Sequence, residues 1–279
     1  MKKYICMFIL TTVFALFPQG NLGADPTFPV SGTDAQSLGR GGTTIATPPG
    51  KSSALGNPAT LTPAGFFALG AEHMRTRGTG EGTWVLSVID TSSFVRGAFN
   101  YYSDSNFAGF EKNLWGVALA QTITPYLTIG ESYHMGDYTP APGDKDTLSA
   151  IDLGVLLDLG TYVSLGYVAR NVYRSDSDLL DKTAGFGAAM ALPWTILLAV
   201  DYEEVPFSGG ENDMRAGVQF SPVKWLTGRL GFQDLADGTT YYTVGFTYID
   251  ANGTVDAAVL YDKEEERTDR IIIGFTMKM

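Results

Sequence analysis

The chain has 279 residues, with 19 Lys and Arg against 30 Asp and Glu, for a net charge of -11. That acidic balance excludes a surface built to neutralise phosphates, so no nucleic-acid partner is expected. Only 18% of the residues are charged, against a usual share of ~25%, while 33 are glycine and 12% aromatic. This is a poor composition for a soluble enzyme and a good one for a β-rich chain.

The first segment, residues 1–24, is read as a signal peptide. Lys2 and Lys3 precede a weakly polar to apolar run from Tyr4 to Phe17, and Asn21, Gly23 and Ala24 supply small residues near a cut. Roughly 15 apolar residues are too few to span a bilayer as a helix. The sole cysteine, Cys6, would leave with this segment, so the mature chain has neither disulfide nor thiol chemistry.

Residues 25–64 do not alternate. They are rich in Gly, Pro, Ser and Thr, and Ala54–Leu61 is expected to form a short helical turn broken at Pro58. Either a linker or a plug fits this composition.

From Gly65 to the C-terminus the pattern changes to short alternating segments. Leu226, Gly228, Leu230 and Phe232 fall on one face, and Thr227, Arg229, Gly231 and Gln233 on the other. Tyr242, Val244, Phe246 and Tyr248 alternate with Thr243, Gly245 and Thr247 in the same way. A period of two marks strands with chemically different faces. Fourteen such segments are predicted, near 65–74, 83–90, 95–102, 111–122, 127–135, 147–158, 163–173, 183–191, 195–203, 213–220, 226–233, 239–249, 254–261 and 269–279.

The connections alternate as well. Long polar ones (Arg75–Gly82, Ser103–Phe110, Gly136–Asp146, Arg174–Asp181, Val205–Asn212, Lys263–Arg267 and the shorter Asp234–Gly238) are interleaved with tight ones (Asp90–Phe94, Thr124–Tyr126, Gly160–Tyr162, Leu192–Trp194, Pro222–Trp225, Asp250–Gly253). Short turns at one end and longer loops at the other characterise a bacterial outer-membrane barrel. Phe94, Tyr126, Tyr162, Trp194 and Trp225 each open a strand at the tight-turn end, 32, 36, 32 and 31 residues apart. Aromatics recurring at one rim suit the membrane interface. The fold expected is therefore all-β: a 14-stranded antiparallel transmembrane barrel over residues 65–279, closed because hydrocarbon offers free backbone groups no partner. Its even strand number puts both termini on the tight-turn, periplasmic side and the long loops outside the cell. One residue fits badly: Glu131 shares the parity of Leu127, Ile129 and Tyr133, which aims a carboxylate at lipid unless a bulge near Gly130 turns it inward or the register fails there.

A barrel of this size leaves a lumen, since ~8 strands fill their own interior and ~16 leave a channel. Residues 25–64 are placed to enter it. Asp34-Ala-Gln-Ser-Leu-Gly-Arg-Gly-Gly42, then Ala54-Leu-Gly-Asn-Pro-Ala59 and Leu61, resemble the N-terminal hatch of FadL-type outer-membrane transporters and of their smaller PorV/PorQ-like and UPF0164-type relatives. Asp152-Leu-Gly through Tyr167-Val-Ala-Arg-Asn171, and Ala199-Val-Asp-Tyr202, resemble hairpin strands of the PorV-like branch. The resemblance implies a luminal hatch at 25–64 and hatch positions at Gly39, Gly41, Gly42, Asn57, Pro58 and Ala59. It further implies passive transport of small, fatty-acid-like hydrophobic molecules, gated by that hatch and needing no cofactor. The alternative it implies is a structural or secretion-accessory barrel. The chain departs from the fatty-acid transporters in being shorter and in ending on Met279 rather than an aromatic residue.

No His-Glu-x-x-His, phosphate-binding loop or nucleophile elbow occurs, so no enzyme is expected. His73 and His134 both lie toward the long-loop ends of their strands and are read as incidental. The acidic runs Asp176–Asp181 and Asp262–Glu266 are read as solvated loops rather than metal sites. By parity Arg96, Arg170, Arg215, Arg229, Asp152, Asp158, Asp201 and Asp256 face the lumen, where charges must pair with each other or with the hatch. Arg170, Asp201 and Arg215 are the candidates for ligand or hatch contact. The partners expected are outer-membrane lipid and lipopolysaccharide, with a small hydrophobic ligand or secretion and other envelope proteins according to the role.

Overall fold

The computed structural model describes residues 34–47, 53–62, 65–76, 82–105, 111–139, 146–175, 182–204, 212–236, 238–265 and 267–279. The segment read as a signal peptide, the first part of the 25–64 segment and most long-loop tips lie outside these residues. The described strands are β1 (Phe67–Thr76), β2 (Gly82–Asp90), β3 (Val95–Ser105), β4 (Glu111–Thr124), β5 (Leu127–Thr139), β6 (Asp146–Leu159), β7 (Val163–Arg174), β8 (Thr183–Leu192), β9 (Ile196–Glu204), β10 (Asn212–Val223), β11 (Leu226–Asp234), β12 (Thr240–Asp250), β13 (Gly253–Asp262) and β14 (Arg267–Lys278). Each pairs antiparallel with its sequence neighbour, and β1 pairs with β14, from Ala68 opposite Lys278 to Thr76 opposite Arg270. The result is a closed barrel of 14 strands with no free sheet edge.

The period of two sorts the wall into two chemistries. On β2, Thr83, Val85, Ser87 and Ile89 are buried inside, while Trp84 and Leu86 are exposed outside. On β12, Thr243 and Thr247 face in; Tyr242, Val244 and Phe246 face out. Phe94, Tyr126, Tyr162, Trp194 and Trp225 stand exposed at the tight-turn rim. Trp84, Tyr173, Tyr202, Tyr242 and Tyr261 are likewise exposed toward the opposite rim. Two aromatic belts thus bound an apolar band, as on membrane barrels.

Two departures from simple alternation bear on the rim and the lumen. Before β9, Pro193–Thr195 forms a 3-10 turn with Trp194 and Thr195 at φ 63° and 62°, so the strand opens at Ile196. In β7 the register slips: Ile151 pairs with Tyr173 but Leu153 with Ala169, a bulge with Asn171 at φ 53°. The Asn171 N–H released from the ladder donates to Asp152 Oδ1 at 2.7 Å. Glu131, by contrast, lies in an unbroken register. It pairs with Leu119 and Leu153, with Gly130 paired to Ala120 and Gly154 beside it. Neither a bulge nor a slip relieves it, and its side chain stands exposed on the outer apolar face.

Candidate functional site in the barrel lumen

The described parts of the N-terminal segment lie inside the barrel. Helix α1 (Ala35–Gly39) is capped by Asp34, whose carboxylate accepts from the Gln36 and Ser37 N–H groups at 2.9 and 3.0 Å and from Ser37 Oγ at 2.7 Å. Gly41 and Gly42, at φ 70° and 73°, end the helix and reverse the chain; the Gly42 N–H donates back to the Ser37 carbonyl at 2.8 Å. Further on, Asn57 precedes a 3-10 turn at Pro58–Thr60 and accepts from the Ala59 N–H at 3.0 Å. Its Nδ2 donates to the carbonyls of Ile45, Val155 and Tyr167 at 2.7, 3.2 and 3.3 Å. One amide thereby ties two arms of the segment to β6 and β7.

The wall receives this segment through glycines. A Cβ added at Gly217 or Gly231 would strike the Arg40–Gly41 backbone, and one at Gly245 would meet Gly39 Cα. Across the lumen, Gly130 and Gly154 face the Pro58–Ala59 backbone and Asn57, and Gly166 faces the Ile45 carbonyl. Glycine normally weakens a strand interior, and one of its uses there is close approach by another backbone. These six stand on six different strands, and Gly187 of β8 adds a seventh against Ile45 and Ala46.

Side-chain bonds complete the seat. Asp201 Oδ2 on β9 accepts from the Thr44 and Ile45 N–H groups at 2.6 and 2.9 Å. Asn100 Oδ1 accepts from the Ala54 N–H at 2.9 Å, and Thr243 Oγ1 accepts from the Gly41 N–H at 3.0 Å. Gln36 Nε2 donates to Asp256 Oδ1 at 3.2 Å. Arg40 bonds Gln219 and Thr47; burial and then nearby Arg229 push its guanidinium down to about 10, still protonated at neutral pH.

Above this seat, toward the long loops, the lumen has two unlike sides. From β5 to β10 runs a polar arc. His134 Nε2 lies 2.8 Å from Asp152 Oδ2, and Arg170 Nη1 lies 3.9 Å from that same oxygen. Arg170 Nε and Arg215 Nη1 hold the two oxygens of Glu203 at 2.7 and 3.0 Å. Thr183 donates to Glu203 from β8, and Asp213 pairs with Arg215. Arg170 Nη1 also reaches the Leu55 and Gly56 carbonyls at 3.1 and 3.3 Å, tying the arc to the segment below. The other side is apolar. Met74, Leu260 and Ile272 pack with Leu38, while Val85, Tyr102 and Leu114, joined by Leu148 from β6, pack with Leu55.

Of the sequence candidates, Gly39, Gly41, Gly42, Asn57, Pro58 and Ala59 all lie at the contact between segment and wall. Arg170 and Asp201 hydrogen-bond the segment; Arg215 bonds Glu203 and Asp213, and its Cδ lies beside Gly42. His134 faces the lumen beside Ser132 and Asp152, but His73 stacks on Trp84 with ring centroids 4.5 Å apart, so the two histidines are not brought together. Asp176–Asp181 lies outside the described residues; Asp262 accepts from the N–H groups of Glu264 and Glu265 in a turn. Among the described residues no group of three or more His, Cys, Asp or Glu is arranged to hold a metal ion. Sequence reasoning missed Glu203, Glu72, Gln219 and the wall glycines. Glu203 shares the parity of Asp201, and that parity was the signal available.

No family model and no curated protein matches this sequence. Solved structures do. A CymD monoaromatic hydrocarbon channel is similar with a TM-score of 0.64 at 14% identity, over 90% of this chain and 98% of that one. The Pseudomonas putida toluene transporter TodX is similar with a TM-score of 0.67 at 12% identity, over 90% and 99% of the two chains. At such identity the likeness is one of fold, a closed β-barrel of 14 strands.

Proposed function

We propose that this chain is an outer-membrane channel for small hydrophobic molecules, passive and gated by its luminal segment. The observation that carries the reading is the apolar side of the lumen, where Met74, Val85, Tyr102, Leu114, Leu148, Leu260 and Ile272 gather over Leu38 and Leu55. A pore for polar solutes has no use for such a wall, whereas an apolar solute leaving water gains about 25 cal/mol per Å² of surface covered. The neighbours of the same fold include a channel and a transporter named for monoaromatic hydrocarbon and toluene, which agrees with that chemistry. In this reading the long loops face outward, both termini face the periplasm, and the segment from Asp34 to Thr62 is the hatch. The test is flux of toluene into liposomes containing the purified chain. Uptake above that of empty liposomes, with glucose excluded, is the expected result; equal uptake in both overturns the reading.

A second reading, a structural or secretion-accessory barrel, draws on Glu131. An exposed carboxylate within an apolar outer band is costly in lipid and is relieved by a neighbouring protein.

A further inference from the structure

The outer wall carries polar side chains at a depth where lipid tails are expected. Glu131 of β5 stands exposed in a cross-strand row with Gly97 of β3, Leu119 of β4 and Leu153 of β6. It lies five positions past Tyr126 of the tight-turn rim. At ~3.4 Å per residue and a tilt of about 40°, that is about 13 Å into an apolar band ~25 Å tall. A charged side chain costs most at the middle of such a band.

A second polar residue stands beside it. Gln121 of β4 follows Ala120, which is buried inside the barrel, and therefore points outward. It pairs with Ile129, two residues before Glu131, so the two side chains are diagonal neighbours on adjacent strands. Neither makes a hydrogen bond or ion pair with any described residue. The other members of the two rows, Val95, Gly97, Leu119, Ile129, Leu153 and Val155, supply neither a side-chain donor nor an opposite charge.

Lipid tails are as apolar as leucine, so association within a membrane is driven by close packing and by polar bonds that hydrocarbon cannot supply. This face offers both. Glu131 brings acceptors without a donor, and Gln121 brings an amide with two unused donors. Such a set is self-complementary. A twofold axis beside the two residues sets each carboxylate against the amide of the other copy, and the bond forms twice. Gly97 leaves the neighbouring wall open, since a Cβ there would first meet Ala118 O and Leu119 Cδ2, both at 3.8 Å. A facing side chain can therefore approach the backbone closely.

We propose that the outer face of β3 to β6 is the interface of a homodimer within the membrane, closed by reciprocal Gln121–Glu131 hydrogen bonds. The proposal rests on the premise of the second reading, that a protein covers Glu131, and names that protein as another copy of this chain. It is independent of transport.

Sedimentation equilibrium of the full chain in density-matched detergent micelles tests it. The wild-type chain should form dimers, and Gln121→Leu or Glu131→Leu should each weaken association at least about tenfold, the loss of two hydrogen bonds per dimer. Gln121→Glu should abolish dimers, because each copy then presents two carboxylates. Adding Glu131→Gln to Gln121→Glu exchanges acceptor and donor and should restore them, a rescue that a damaged wall would not show. Every variant is first checked for the gel shift between boiled and unboiled samples. A wild-type chain that stays monomeric at every concentration overturns the proposal, as does a dimer that both leucine variants retain. A monomeric chain that cross-links in intact cells, from Leu119→Cys, to a different envelope protein overturns the dimer while the second reading stands. A chain that cross-links to no protein there removes both.

Discussion

Arg170 Nε donates to Glu203 Oε1 at 2.7 Å although the two residues stand on strands separated by β8. Glu203 also holds Arg215 at 3.0 Å, so one buried carboxylate sits between two guanidiniums, with Asp152 and Asp213 flanking them. Glu203→Gln should therefore destabilise the barrel more than loss of either arginine alone, by about 3–5 kcal/mol. Urea unfolding of the folded barrel in lipid vesicles measures this. A change under about 1 kcal/mol, the value of an exposed pair, would mean that water reaches the arc and screens it.

The wall glycines give a way to unseat the luminal segment without cutting it out. Gly217→Val places a side chain against the Arg40 backbone, while a Cβ at Gly228 meets nothing nearer than Phe220 O at 4.0 Å, so Gly228→Val is the control. Both changes favour the strand itself. Only Gly217→Val should raise conductance in planar bilayers, and it should approach the level of a chain lacking residues 31–62. Equal conductance in the two valine variants, both folded, would show that the segment does not limit passage.

Glu131 offers a stability test with a definite sign. Its neighbours on the outer face are Leu119 and Leu153, so Glu131→Leu should stabilise the isolated barrel by about 1–2 kcal/mol in bilayers. The measurement is again urea unfolding in vesicles. A loss of stability would place a partner for the carboxylate within the barrel itself, and the second reading would lose its observation.

Topology across the membrane can be read in intact cells. Epitopes inserted near Asp144 or Asp178, in loops between β5 and β6 and between β7 and β8, should be reached by antibody from outside. One at Lys224, in the turn between β10 and β11, should not. The reverse pattern would put both termini outside the cell.

Alternation made the strands legible, because a wall with oil on one side and a packed lumen on the other forces a period of two on every strand. Turn lengths and the recurring Phe94, Tyr126, Tyr162, Trp194 and Trp225 marked one rim, where all five stand exposed. Less of the lumen could be read. Parity says that Arg170, Asp201 and Glu203 point inward but not which of them meet, since their spacing around the barrel depends on register and tilt. Gly217, Gly231 and Gly245 look like ordinary weak points of strands until the backbone against them is known. Asn171 adopts positive φ with no flanking turn residue to announce it. Glu131 was legible as an anomaly, and the unbroken register around it leaves it one.

The seat of the luminal segment has a consequence in time. Ala35 finds Glu72 only 37 positions away, but Gly41 bonds Thr243 across 202 positions and Gln36 bonds Asp256 across 220. Contacts between such distant residues carry the largest loop-closure cost and cannot precede the strands that bear them. The first structured residues to be synthesised must therefore wait, unpaired, for nearly the last. Asp34–Thr47 can gain these contacts only once β12 and β13 are in place, and the wall must still be open, or the segment already inside it, when β14 closes on β1.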